Sequence, residues 1–452
     1  MRFRLFIMMA LEFFIWGAWL PLTFVYLPSI FSVSKPPEAL SFLADIVPQQ
    51  LLFIFSEVSL ILNAFPVAAI IGMFFGNQFA DRNFSAERFL SFSHLVGGIS
   101  ILCLAYTKSF WPFFGLMLVH CLLYVPTISI TNSITFANLK DAQEEFGFVR
   151  VGGTIGWILA AWPFAFIFVD WEIIHATPTN GWIDWLGLVL KSGLEGDKLK
   201  AAAPAIYLVA GIASLVLCLY SLTLPHTPAK QAAEGTRESL AWLEALKLLR
   251  HPFVLVLWLV TFVDAFLLNC YFNWTGDFLG ASVDSGGVGI PGNWIMPVMS
   301  IGQVAEIIAM LILGLTLRKL GWKWTMVIGV LGHAARFAVY AYFPQDKYLI
   351  IGVQILHGIC YAFFFATVYI FVDEFFPKDA RSSAQGLFNV MILGLGVLAA
   401  NSLCPYLKKE VFTKDNVADF HGLFLVPSLI SIGAAVALAL CFYPPKKAAA
   451  TL

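Results

Sequence analysis

Twelve apolar runs recur along the chain, at roughly residues 5–31, 54–79, 89–107, 111–138, 147–169, 203–224, 252–276, 295–317, 322–343, 347–375, 380–404 and 419–443. Each is near the ~20 residues that a helix needs to cross a 30 Å hydrocarbon core. In hydrocarbon every backbone N–H and C=O must be satisfied internally, which a helix does within one segment. Composition agrees, because 60% of residues are hydrophobic and 12% charged, against about 25% charged in soluble domains. The mean hydropathy is +0.82. The expected fold class is an all-α polytopic membrane protein of about twelve transmembrane helices.

The runs form two groups of six, divided by a polar stretch at 226–250 that carries Lys230, Glu234, Arg237, Glu238, Glu244 and Lys247. The organisation expected is a six-helix bundle at 1–225, a cytoplasmic linker with an amphipathic helix at 226–250, a second bundle at 251–445 and a cytoplasmic tail at 446–452. Arg2 and Arg4 before an apolar run resemble a signal peptide, but the run continues through Trp16, Trp19 and Phe24 to about Ile30. That is too long for a signal, so it reads as a retained first span. The basic residues of the short loops (Arg2, Arg4, Arg82, Arg88, Arg318, Lys319, Lys323, Lys378, Arg381, Lys446 and Lys447) share one side if both termini are cytoplasmic, as the positive-inside rule favours. Segments 32–53 and 170–202 then lie outside. Within the second, 182–190 reads as an amphipathic piece on the outer surface, more readily a passive insertion than a lid.

A net charge of −1 offers nothing to a polyanion, so nucleic acid is not an expected partner. Seven cysteines occur without a C-x-x-C or Cys/His cluster, so neither a disulfide framework nor a metal site is expected. Nothing resembles a nucleophile–base pair or a phosphate loop, which argues against an enzyme.

Polar residues inside the spans carry the functional information, because a carboxylate at mid-membrane costs about 2.5–3.5 kcal/mol on insertion scales. Gln303 and Glu306 in span 8 stand three residues apart and so share a helical face. They are read as facing a cavity that holds a polar substrate, a proton or both; the alternative is a polar clamp between helices. Arg150, Thr154 and Trp157 form a stripe at i, i+4 and i+7 on span 5, offering a guanidinium, a hydroxyl and an aromatic plane. Arg150 snorkelling to the inner surface is an equal alternative. Span 7 presents Asn269 and Asn273 at i, i+4. Asp264 in the same span reads either as a second proton site or as a partner for Arg336. Span 10 carries His357 and Tyr361, again at i, i+4, as a ligand wall or as packing. Glu12 and Trp16 in span 1, and the Tyr124 to Ser133 stretch of span 4, add polar groups from the first half.

A short pattern recurs after spans 2 and 8, as Gly76-Asn-Gln-Phe-Ala-Asp81-Arg82 and Gly314-Leu-Thr-Leu-Arg318-Lys319-Leu-Gly321. Repeated halves suit a transporter in which one half rocks against the other. The first copy resembles the loop motif of the major facilitator superfamily, with Asp81 and Arg82 expected to gate; the second copy lacks the acidic residue.

Five segments together resemble the bacterial nucleoside:proton symporters of that superfamily. They are Tyr124-Val-Pro-Thr through Asn132-Ser-Ile-Thr, Arg150-Val-Gly-Gly-Thr-Ile-Gly-Trp157, Ser300-Ile-Gly-Gln-Val-Ala-Glu306, Arg336-Phe-Ala and Arg381-Ser-Ser-Ala-Gln-Gly386-Leu-Phe. The resemblance runs from about Leu11 to span 12. It implies the major facilitator fold, two pseudo-symmetric bundles, and a nucleoside pocket at the positions of Arg150, Thr154, Trp157, Asn269, Asn273, Gln303, Glu306, His357 and Tyr361. It further places Gln303 and Glu306 at the ribose and in proton coupling. Two departures stand out. His357 replaces a tyrosine, and Ala362 replaces an aspartate, which places more of the proton coupling on Glu306.

The expectation is therefore proton-coupled nucleoside uptake by a monomer in the cytoplasmic (inner) membrane, without a cofactor other than the coupling proton. The rivals are the same fold carrying a sugar or other polar solute, a nucleoside-binding sensor, and a membrane enzyme.

Overall fold

The computed structural model describes residues 1–72, 84–139, 142–228, 246–376, 381–415 and 417–444. Within these, the apolar runs are helices. Span 1 is Arg2–Ile30 and span 2 begins as Glu57–Leu62 and Ala64–Ile71. Spans 3, 4 and 5 are Ala86–Leu104, Phe110–Asn138 and Ala142–Ala161, and span 6 is Ala205–Ser221. In the second half, span 7 is Pro252–Gly280 and span 12 is Phe420–Cys441, while spans 10 and 11 run over Lys347–Phe375 and Ala384–Val411. Spans 8 and 9 lie in one helical stretch, Gly292–Tyr342, interrupted at Gly321. Gly321 has φ +70°, a left-handed conformation that glycine adopts at little cost, and it turns the chain back into the bilayer. The Asp81–Arg82 gating loop and most of the expected linker helix lie outside the described residues.

Side-chain exposure sorts the faces of each span. Along span 8, Ile308, Leu311 and Leu315 are exposed while Gln303, Ala305 and Ala309 are buried. With lipid as the outer solvent, exposed aliphatic side chains are the expected outer face of a bundle.

Small residues set the closest helix approaches, as is general where lipid provides no hydrophobic drive for helix association. A Cβ on Gly156 of span 5 would collide with the Ala10 carbonyl of span 1, and one on Gly358 of span 10 would collide with the backbone of Glu306 in span 8. The second approach matters most for the site, because it brings the polar face of span 8 directly against span 10.

The halves meet through spans 1 and 7, 5 and 8, and 2 and 11. Across the last pair, Asn401 donates its amide to the Leu62 carbonyl at 2.9 Å, and Asn63 donates to Ser402 Oγ at 2.8 Å. The 170–202 segment also crosses between halves. It contains the helices Trp171–Ala176 and Trp182–Lys191, and its ends are tied by Asp170 N–H to the Ser192 carbonyl at 2.7 Å and Leu194 N–H to the Phe168 carbonyl at 2.8 Å. The segment then docks on the start of span 8. There Gly292 N–H reaches the Leu194 carbonyl at 3.0 Å, and Trp294 Nε1 reaches the Leu190 carbonyl at 2.6 Å. It is a folded strap rather than a loose insertion, and Trp182 and Ile183 remain exposed on its far face.

Candidate functional site

A cleft opens where spans 1 and 5 of the first half face spans 7 and 8 of the second. It is lined by Gly17, Pro21, Trp157, Ala161, Tyr271, Phe272, Met296, Met299, Ser300 and Gln303. Its aromatic wall is continuous across the halves. The ring centroids of Trp157 and Phe272 lie 6.3 Å apart, and Trp16 meets Trp157 edge-on at 5.3 Å. Gln303 and Trp157, both expected from the sequence, are therefore brought together on one cleft.

Glu306 lies on the same helical face, one turn beyond Gln303, and is half-buried. Across from it, Arg150 of span 5 is also half-buried and stacks its guanidinium 4.4 Å from the centre of the Phe13 ring. Among the described residues no salt bridge joins Arg150 and Glu306. Thr154 is half-buried one turn above Arg150 on span 5.

The span 7 amides are placed differently. Asn269 donates to the Ala265 carbonyl at 2.8 Å, and Asn273 donates to the Asn269 carbonyl at 2.9 Å and toward Asn401 Oδ1 at 3.4 Å. Their nitrogens are spent within span 7 and toward span 11, and neither residue is among those lining the cleft. On span 10, His357 is buried and Tyr361 half-buried. A π-helical turn, Tyr361–Ala366, follows directly. The Thr367 hydroxyl also donates back five residues, to the Ala362 carbonyl at 3.3 Å. Such single wide turns are frequent at functional sites, and they shift every later residue off the 3.6-residue period.

Behind the cleft runs a chain of buried polar contacts. Gln303 meets His357 Nε2 at 3.1 Å, and Arg336 reaches His357 Nδ1 and His333 Nδ1 at 3.0 Å each. His333 Nε2 stands 3.6 Å from Asp264 Oδ1. Arg336, His333 and Asp264 are all 0% exposed. Asp264 thus meets Arg336 through an intervening imidazole. Sequence reasoning missed His333; the available signal was its position three residues before Arg336, on the same face of span 9. Tyr271 and Phe272 were visible only as aromatics interleaved with the span 7 amides.

A model of the nucleoside H+ symporter family matches residues 1–183 and 174–447. YegT of Escherichia coli (strain K12) is 29% identical over 414 residues, covering 90% of this chain and 85% of that protein. Nucleoside permease NupG of the same organism is 25% identical over 457 residues, covering 98% and 95%. Xanthosine permease, also from E. coli (strain K12), is 26% identical over 454 residues, covering 97% and 94%. The crystal structure of nucleoside transporter NupG superposes with a TM-score of 0.74 at 22% identity, covering 98% of each chain. The inward open xylose transporter XylE from E. coli superposes with a TM-score of 0.64 at 14% identity, covering 98% of this chain and 96% of XylE. The fold is that of the major facilitator transporters, all-α and polytopic, and the protein is a multi-pass membrane transporter rather than an enzyme. With the family model spanning nearly its whole length, this chain belongs to the nucleoside H+ symporter family.

Proposed function

We propose that this protein takes up nucleosides with protons by alternating access, holding the substrate in the cleft between the two halves. The observation that carries this reading is the cleft itself, where Trp157 of the first half and Gln303 of the second line one space, with Glu306 one turn away. A nucleoside has a flat base and a ribose diol, and the residues around the cleft suit both. Trp157 and Tyr361 supply planes for stacking. Arg150, with Asn269 and Asn273 once their helix shifts, supplies groups for the base edge, while Thr154 and His357 complete the wall. Gln303 and Glu306 face the diol.

Glu306 is the proposed proton carrier. Carrying charge through the bilayer core is costly, so the loaded protein would cross between states with this carboxyl neutralised. Each proton descending 100 mV supplies about 2.3 kcal/mol for accumulation. Asp264 is retained as a second proton site. Its exchange reaches no farther than His333, because the guanidinium beyond does not give up protons. The units that rock are residues 1–225 and 251–445. The protein is placed as a monomer in the inner membrane, with both termini and the tail at 446–452 cytoplasmic.

Counterflow of labelled uridine in proteoliposomes tests the reading, with purine nucleosides, free bases and sugars as competitors. Transport by exchange is expected, with competition by nucleosides alone. Competition by sugars would shift the reading to a sugar carrier, and binding without counterflow would shift it to a sensor.

A further inference from the structure

We propose that Arg336, which lies behind the cleft, positions Gln303 so that its amide N–H₂ faces the substrate. The inference rests on the nucleoside reading of the cleft and adds a residue to it.

The argument is one of hydrogen-bond bookkeeping. A guanidinium has five N–H donors and no acceptor. Its NH1 lies 3.0 Å from His357 Nδ1 and its NH2 lies 3.0 Å from His333 Nδ1. Both Nδ1 atoms therefore accept, and both rings carry their proton on Nε2. For His333 that Nε2 stands 3.6 Å from Asp264 Oδ1, near the carboxylate but beyond hydrogen-bond distance. For His357 the Nε2–H faces the Gln303 amide, whose Nε2 is placed 3.1 Å away. Two N–H groups cannot bond each other, so the Gln303 carbonyl oxygen must occupy that contact. The oxygen and nitrogen of an amide are assigned from such a network. The N–H₂ arm of Gln303, a residue that lines the cleft, is left for the substrate.

Arg336 holds a second cleft wall as well. Its guanidinium carbon lies 4.1 Å from the centre of the Tyr271 ring. The Tyr271 hydroxyl donates to Gln354 Oε1 at 3.1 Å, and the Gln354 amide donates to Tyr340 at 2.7 Å. Tyr271 also lines the cleft. One fully buried arginine thus orients an aromatic face and, through His357, the polarity of an amide, without touching the cleft. Gln303 as donor and Glu306 as acceptor, one turn apart, form a matched pair for two adjacent hydroxyls, one accepting and the other donating.

The test is binding of a ribonucleoside and its 2′-deoxy and 3′-deoxy analogues to the full-length protein in detergent. In the wild type, each analogue should bind about tenfold more weakly than the ribonucleoside, as expected for one hydrogen bond of about 1.4 kcal/mol. Gln303→Ala should erase that ratio for one of the two analogues, the one lacking the hydroxyl that Gln303 meets. Arg336→Gln should erase it too, although the arginine never meets the ligand. His357→Asn offers Arg336 an acceptor but no Nε2–H for Gln303, and should do the same. Wild-type ratios in the Arg336→Gln and His357→Asn proteins would overturn the proposal, leaving Arg336 with packing alone. Should both variants fail to fold, ¹⁵N spectra of histidine-labelled wild-type protein decide, since imidazole signals without two rings in the Nε2–H form would overturn it. Failure of the wild type to bind any nucleoside would instead sink the nucleoside reading itself, and this inference with it.

Discussion

Glu12 Oε2 lies 2.9 Å from His94 Nε2, joining span 1 to span 3 with neither residue more than 1% exposed. Asp264 and His333 stand in the same relation between spans 7 and 9, the corresponding helices of the second half, but at 3.6 Å, beyond hydrogen-bond distance. The two pairs also have different neighbours. Ser214 gives its hydrogen to the His94 carbonyl at 3.1 Å, so His94 Nδ1 must donate to Ser214 Oγ at 2.9 Å. In the second half, Arg336 donates to His333 Nδ1 at 3.0 Å.

Removing one member of a buried pair strands the other, which costs about 3–5 kcal/mol, whereas replacing both with apolar residues is often close to neutral. Glu12→Leu and His94→Leu should therefore each lower the thermal unfolding temperature in detergent more than the double variant does. Additive losses would mean that the two side chains act independently.

Glu306→Gln keeps the shape and hydrogen-bonding reach of the side chain but cannot exchange a proton. Uptake measured at two external pH values should lose its pH-driven accumulation, while counterflow of labelled nucleoside persists. Uptake that remains concentrative and pH-driven would remove Glu306 from coupling.

Arg150→Ala removes a charge from the face opposite Glu306. A charge-assisted hydrogen bond contributes about 1.5–3 kcal/mol, so nucleoside binding by titration calorimetry should weaken roughly tenfold or more. Unchanged affinity would assign Arg150 to its stacking on Phe13.

The strap at 170–202 should respond to acid. A hydrogen bond from Lys198 holds the Asp170 carboxyl below its ordinary value of 3.8. A carboxyl lowered in the folded state stabilises above its ordinary range, and that contribution fades as pH falls through the lowered value. Amide hydrogen exchange in 170–194, corrected for its intrinsic pH dependence, should show steady protection down to about pH 4 and increased opening below it. Asp170→Asn should flatten that change. An unaltered profile would show that the backbone ties to Ser192 and Gly292 hold the strap by themselves.

The membrane helices were legible because the bilayer leaves an apolar run of this length few alternatives. Gln303 and Glu306 were legible for the same reason, since polar groups stand out where they are costly. Trp157 could be placed because the stripe through Arg150, Thr154 and Trp157 lies on a regular helix, where a period of 3.6 projects accurately into space. Regularity ends at Tyr361, where a wide turn reorients the rest of span 10. The Asn269 and Asn273 amides also escape a period argument, because each bonds the carbonyl four residues back in its own helix.

What the sequence by itself determined, then, was the solvent, the helices and the residues too polar to be in lipid by chance. Only the tertiary structure decided which of those residues share a space. That Asp264 meets Arg336 through His333, that Asn401 ties span 11 to span 2, and that the strap docks on span 8 all depend on contacts between helices far apart in the chain. Such contacts follow from where small residues such as Gly156 and Gly358 let backbones close in, and no period along one helix records which neighbour arrives there.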